Sequence, residues 1–289
     1  MRLARIFAFP GDRLFPLGQA KQKVSATRKF IAEFPHCAFC AGSRPAVTRE
    51  HMPPKALFDG SHRPDKLVMP ACHECNRGTS TSDLVASIIS RWNYHSNEPE
   101  LADHHRLVAR MKNNHVEIFR EWATQSSDRL KLIHHLESQG VHVPQGAGTA
   151  AIGPLTIRQL NLFSHKAVLA LYFEQFKTPL SDAGRVSAYW RTKEDFAKDG
   201  IPKELLEMMH LYGTLEQGKW TAREAFEYRF NVNEDTGLFM CLARLRGGLF
   251  VCGFVASDGT ALPEDDPNGW IKPSQLLAIL DDQKFEKRA

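Results

Sequence analysis

The sequence predicts an α+β protein: a metal-stapled N-terminal module, then a set of helices, then a C-terminal α+β domain containing a three-stranded antiparallel meander. Three observations lead there. Two Cys-x-x-Cys pairs, Cys37/Cys40 and Cys72/Cys75, are separated by 31 residues. Apolar residues at helical spacing follow the second pair. Near the C-terminus, three segments rich in β-branched and aromatic residues are divided by tight-turn signals.

The stapled module comes first. A reduced compartment disfavours disulfides, and there paired Cys-x-x-Cys knuckles point to metal. Two pairs supply four thiolates, the closed tetrahedral set that structural Zn²⁺ prefers. About 50 residues bury too little to fix a hairpin against a helix unaided, so a staple is expected. His36 and His73 flank the cysteines and could compete as zinc ligands, but four thiolates already fill the site.

The remaining elements follow in order. Residues 1–30 are basic and carry Pro10-Gly11 and Pro16-Leu17-Gly18, which reads as an irregular lead-in. The module occupies 31–95. Leu84, Val85, Ile88, Ile89 and Trp92 place a helix after the second cysteine pair, and amphipathic helices are expected at 101–122 and 127–138 within a helical region, 96–140. Residues 140–154, rich in Gly, Ala and Pro, form the candidate linker. In the C-terminal domain, 155–289, Ile157, Leu160, Phe163, Ala167, Val168, Leu171 and Tyr172 predict another helix. Strands are expected at 225–231, 238–244 and 249–256, with turns at 233–237 and Gly247-Gly248. Ser274 is read as the cap of a last short helix. Cys241 and Cys252 lie in apolar stretches and are read as core residues.

Charge divides the chain. Residues 1–120 hold 18 Lys/Arg against 11 Asp/Glu, a net +7, whereas the other 169 residues hold 19 against 22, a net −3. The basic half carries the cysteines, which favours a polyanionic partner. No apolar run approaches the roughly 18 residues that cross a bilayer. The charged opening Met1-Arg2-Leu3-Ala4-Arg5 is unlike a signal peptide, so a cytoplasmic protein with no membrane partner is expected.

Between and after the cysteine pairs lie Arg49-Glu50-His51-Met52-Pro53-Pro54, Asn76 directly after Cys75, and Asp83. The order Cys-x-x-Cys, Glu-His-x-Pro, Cys-x-x-Cys-Asn, Asp resembles the zinc-stapled branch of the HNH nucleases, over roughly residues 35–92. The resemblance implies a treble-clef, ββα-metal fold and a metal-dependent endonuclease. His51 would be the general base. Glu50 and Asn76 would hold a catalytic Mg²⁺ or Mn²⁺ beside the structural Zn²⁺. The family's middle Asn, which orients the loop bearing the base, has no counterpart in Pro64-Asp65-Lys66-Leu67-Val68; Asp65 is the nearest substitute.

The chemistry of these residue types agrees. An ordinary His accepts a proton near neutral pH. A carboxylate and an amide oxygen are hard ligands suited to Mg²⁺ or Mn²⁺. Asn76, Ser80 and Asp83, at i, i+4 and i+7, share a helix face. Asp83 is then either a third ligand or outer-shell carboxylate, or a local cap. Asn76 equally suits a helix start. Lys55 and Arg77 are candidate phosphate contacts. His95, His104, His105, His115, His134, His135 and His142 show no compact metal spacing and are assigned to helix surfaces. DNA is the expected partner, with RNA open because the motif addresses the phosphodiester and leaves the sugar unspecified. The competing function is a non-catalytic zinc module that binds nucleic acid or protein. Oligomeric state is not legible in the residues.

Overall fold

The computed structural model describes residues 19–61, 63–64, 66–92, 98–123, 126–138, 140, 150–193, 195–196, 200–201, 203–214, 216–217, 220–222, 224–233, 235–259 and 269–281. The fold is α+β, as expected. Asp65, His95 and His142, and most of the candidate linker, lie outside the described residues.

The lead-in requires a correction. Helix α1, Gln19–Glu33, occupies much of what the Pro and Gly residues marked as irregular. Those residues all precede it, and its end is held by tertiary packing. Phe30 lies 5.2 Å from Phe34, which in turn meets Phe173 edge-on at 5.4 Å.

The module follows as strand β1, Thr48–His51, paired antiparallel with β2, Val68–Ala71, in the register Glu50 opposite Met69 and His51 opposite Val68. Helix α2, His73–Gly78, starts from Cys72, whose Sγ accepts the Cys75 N–H. Thr79 breaks the helix, and α3, Ser80–Ile89, continues with Leu84, Val85, Ile88 and Ile89 buried. Helices α4, Glu98–Asn114, and α5, Val116–Glu121, replace the single helix expected at 101–122, with His115 at the break. Helix α6, Ser126–Ser138, lies where periodicity put it.

Helix α7, Pro154–Phe176, organises the molecule. It opens on Pro154, as suits a position whose N–H has no helical partner. The Glu121 carboxylate accepts the N–H groups of Gly153, Leu155 and Thr156 at 3.1, 2.8 and 2.9 Å. From Leu160 to Phe173 every residue is buried. A helix buried on all sides is a core element, and α7 contacts α3 on one side and a five-stranded sheet on the other.

That sheet contains β3, Arg185–Thr192; β4, Leu211–Thr214; β7, Phe226–Asn233; β8, Leu238–Leu245; and β9, Leu249–Ala256. The small strands β5, Glu216–Gln217, and β6, Trp220–Thr221, pair with each other. The order β3-β9-β8-β7-β4 is antiparallel throughout. The predicted meander β7-β8-β9 forms its centre, widened by two strands the sequence reading missed. Helix α8, Lys203–Met208, precedes β4. The last helix is 3₁₀, Pro273–Leu280. Ser274 is therefore not its cap but sits in its first turn, donating its N–H to Asp182.

Gly253 of β9 sets how closely α7 approaches the sheet. A Cβ there would fall 2.1 Å from Val168 Cγ2. Gly253→Ala is expected to lower stability by about 1–3 kcal/mol through overpacking. Urea titration checks this; an unchanged midpoint would mean that the helix can retreat without loss. At the β8–β9 turn, Arg246 and Gly247 adopt positive φ. The Arg246 side chain reaches back to the module, bonding Asp59, Glu100 and the Leu57 carbonyl. Most buried apolar residues form one cluster running from Cys37 to Ile279, and Met209, Met240 and Leu242 form a small second one.

Candidate metal centre and the adjoining ion cluster

The first knuckle is a tight turn. Cys37 N–H bonds the Arg44 carbonyl, Gly42 N–H the Cys37 carbonyl, and Ser43 N–H the Cys40 carbonyl. Ala41 and Gly42 take positive φ to close it. Ala38 N–H then bonds the Pro70 carbonyl at 2.8 Å, fixing the knuckle to β2. The second knuckle is the first turn of α2. All four cysteines are buried, and their sulfurs lie within 4.8 Å of one another. Among the described residues, this is the one group of three or more His, Cys, Asp or Glu close enough to share an ion.

The donor set fits a metal such as zinc. Zn–S bonds of about 2.3 Å place tetrahedral sulfurs about 3.8 Å apart, a small contraction from the observed spread. Without a cation, four such thiols cannot all ionise. The hydrogen bond with Cys40 leads in pushing the Cys37 thiol up to about 12, and the one with Cys37 leads in pushing Cys75 upward. Cys40 is held low by hydrogen bonds from Cys37 and Cys75. A thiolate at Cys40 beside suppressed thiols at Cys37 and Cys75 is an arrangement that a bound divalent cation would convert to thiolates. His36 and His73 are exposed beside the cluster.

Beside this centre, Glu50 and Asp83 come together on a third residue. Lys166 Nζ, from the middle of α7, lies 2.6 Å from Glu50 Oε1 and 2.9 and 2.8 Å from the two Asp83 oxygens. The Lys166 side chain has no exposure, and the two carboxylates retain 11% and 14%. Its ammonium also lies 5.9 Å from the centre of the Phe39 ring, inside the first knuckle. Burial, partly opposed by Lys166, pushes the Asp83 carboxyl up to about 7. For Lys166, burial alone would lower the value, but Asp83 and then Glu50 outweigh it and hold the ammonium charged. Two carboxylates facing one ammonium leave a surplus negative charge, and a proton near Asp83 relieves it.

The other expected site residues divide between two faces of β1. Thr48 and Glu50 share the face toward α2, α3 and α7 because strand side chains alternate. Asn76 joins that face by donating Nδ2–H to Thr48 Oγ1 at 2.8 Å. Arg49 and His51 alternate to the other face. There the Arg49 guanidinium covers Phe30 at 5.6 Å, and His51 is half-buried. Lys55 and Arg77 are exposed. His105, His134 and His135 are exposed, whereas His104 and His115 are half-buried. Cys241 is fully buried, whereas Cys252 is half-buried.

Two residues escaped the sequence reading. Arg63 organises the loop after His51, donating to the carbonyls of Met52, Pro53, Pro64 and Leu67. No pattern in the sequence announces it. Lys166 did leave a trace: it is a charge in Leu160–Tyr172, a stretch otherwise apolar around most of the helix.

A catalytic Mg²⁺ or Mn²⁺ on Glu50, Asn76 and Asp83 does not fit these side chains as they stand. Bound at about 2.1 Å from the same carboxylate oxygens, the ion would lie about 4 Å from the ammonium. Charges of +2 and +1 at that separation repel by ~8 kcal/mol at an effective dielectric of about 20. Comparison with protein-family models, curated proteins and solved structures gives no match to this chain, so the functional argument rests on its own residues.

Proposed function

We propose that the stapled module hydrolyses phosphodiester bonds of nucleic acid in the manner of an HNH endonuclease, with DNA as the first substrate to test. The observation that carries this is local. A four-cysteine cluster fastens a hairpin to a helix start, with His51 at the end of β1 and Asn76 in the first turn of α2. Zinc serves as the structural metal. His51 takes the proton of the attacking water, and Arg63 holds the loop that follows it. Lys55 and Arg77 meet phosphate oxygens from the exposed rim. In its metal-dependent form this function needs Mg²⁺ or Mn²⁺ on Glu50, Asn76 and Asp83, which requires the Lys166 ammonium to swing away.

A plasmid-nicking assay on the zinc-loaded chain, with and without added Mg²⁺ or Mn²⁺ and paired with an RNA substrate, tests it. His51→Ala is expected to lower cutting by roughly 10²–10⁴-fold, with zinc content and folding unchanged. A variant that cuts as fast as the parent would remove His51 from the reaction.

A second function is favoured by a specific observation. Glu50 and Asp83 are already held by Lys166, and Asn76 donates its Nδ2–H to Thr48. That suits a non-catalytic zinc module binding nucleic acid or protein. Such a module would show salt-sensitive nucleic-acid or protein binding and no cleavage under any of these conditions.

A further inference from the structure

We infer that Lys166 is the resident cation of the Glu50–Asp83 pair, so that this chain's own ammonium occupies the place of a divalent metal ion and the pair binds none. The inference concerns cation binding alone and stands whether or not the chain cuts nucleic acid.

The geometry is that of a filled cation site. Three carboxylate oxygens from two elements, β1 and α3, converge on one nitrogen at 2.6–2.9 Å. The nitrogen comes from a third element, α7, whose backbone on this stretch is buried between the module and the sheet. An ammonium has three N–H donors, and three carboxylate oxygens lie in range to accept them. The Phe39 ring lies on the same nitrogen, presenting a face that attracts cations. Lys166 has no exposure, so its ammonium cannot reach a phosphate group and is not a catalytic residue. It acts through Glu50, the neighbour of His51, and is a positioning residue for that strand.

The module and the C-terminal half are thereby joined at the site itself. Carboxylates that a free-standing module would offer to a metal are instead engaged by the long helix of the second half. Any hydrolysis by this chain would then use no divalent ion held between Glu50 and Asp83.

The test is a Mn²⁺ titration of the zinc-loaded full chain, following free Mn²⁺ by electron paramagnetic resonance. Four proteins are compared: the parent, Asp83→Asn, Lys166→Met and the double variant. Parent and Asp83→Asn are expected to give identical curves. Lys166→Met, which keeps the stem and removes the charge, is expected to gain one Mn²⁺ bound at least about 100-fold more tightly, and the double variant to lose it. An ion bound by the parent and lost in Asp83→Asn would overturn the inference, as would a folded Lys166→Met that gains none. If Lys166→Met does not fold, the comparison of parent with Asp83→Asn still decides. Nicking is scored separately: absence of cutting would remove the nuclease function while leaving the cation assignment intact.

Discussion

Denying the four-cysteine cluster its metal, by chelation or by Cys75→Ser, is expected to melt the β1–β2 hairpin and the start of α2. Structural zinc in isolated finger peptides contributes on the order of 10 kcal/mol to folding. That is comparable to the whole stability of an ordinary domain. The affected backbone is well defined. Ala38 N–H bonds Pro70, Val47 N–H bonds Ala71 and Met52 N–H bonds Leu67, and all three bonds depend on the knuckles staying closed against β2. Hydrogen exchange read by mass spectrometry should show these amides losing protection. Amides of β7, β8 and β9 should keep theirs, because their ladder is formed within the sheet. Loss of protection in both regions together would instead mean that the shared core around α7 makes the molecule one cooperative unit. Full protection after metal removal would show that the staple is dispensable.

Lys166→Met should cost about 3–5 kcal/mol at pH 7.5, the usual penalty for stranding buried charge by removing its partner. The pH dependence distinguishes this cause from lost packing. In the parent, Asp83 is raised to about 7 from an ordinary 3.8. A carboxyl with a raised folded-state value stabilises fully below its unfolded value, and that contribution is lost as pH climbs through the folded value. Asp83 therefore favours the native state below about pH 4, and the advantage disappears by about pH 7. Without the ammonium, Asp83 rises further, and the loss extends to higher pH. The deficit of Lys166→Met relative to parent should accordingly be small near pH 4 and grow toward pH 8. Urea titrations at several pH values read this directly, and a deficit independent of pH would assign the effect to packing.

A wide part of the architecture is legible in the residues. The Cys-x-x-Cys spacing identifies the staple because thiolate coordination demands four sulfurs in one place, and local turns deliver each pair. Segments rich in β-branched and aromatic residues, divided by tight-turn signals, give the meander β7-β8-β9, and apolar periodicity gives α3, α6 and α7. β3 was missed because it lies far along the chain from its sheet partner: Arg185 pairs with Ala256 and Thr192 with Leu249. β4 pairs with the nearer β7, but its four residues are too few to show a strand pattern. Helix α1 was missed because the Pro and Gly residues before it drew the eye, while its end is fixed by Phe30 and Phe34 packing toward Phe173.

The residues alone dictate the chemistry available: four thiolates, an acidic-His pair on a strand, and an Asn and an Asp on the helices that follow. The tertiary structure decided how those groups are used. Strand alternation separates His51 from Glu50, and Thr48 claims the Asn76 amide. A lysine 116 residues along the chain from Glu50 reaches both carboxylates. No local pattern specifies that contact, because it exists only once α7 has been buried between the module and the sheet. The same burial makes it consequential: in water an ammonium beside two carboxylates is one weak ion pair among many, whereas in the core it fixes their charge and occupies the space between them.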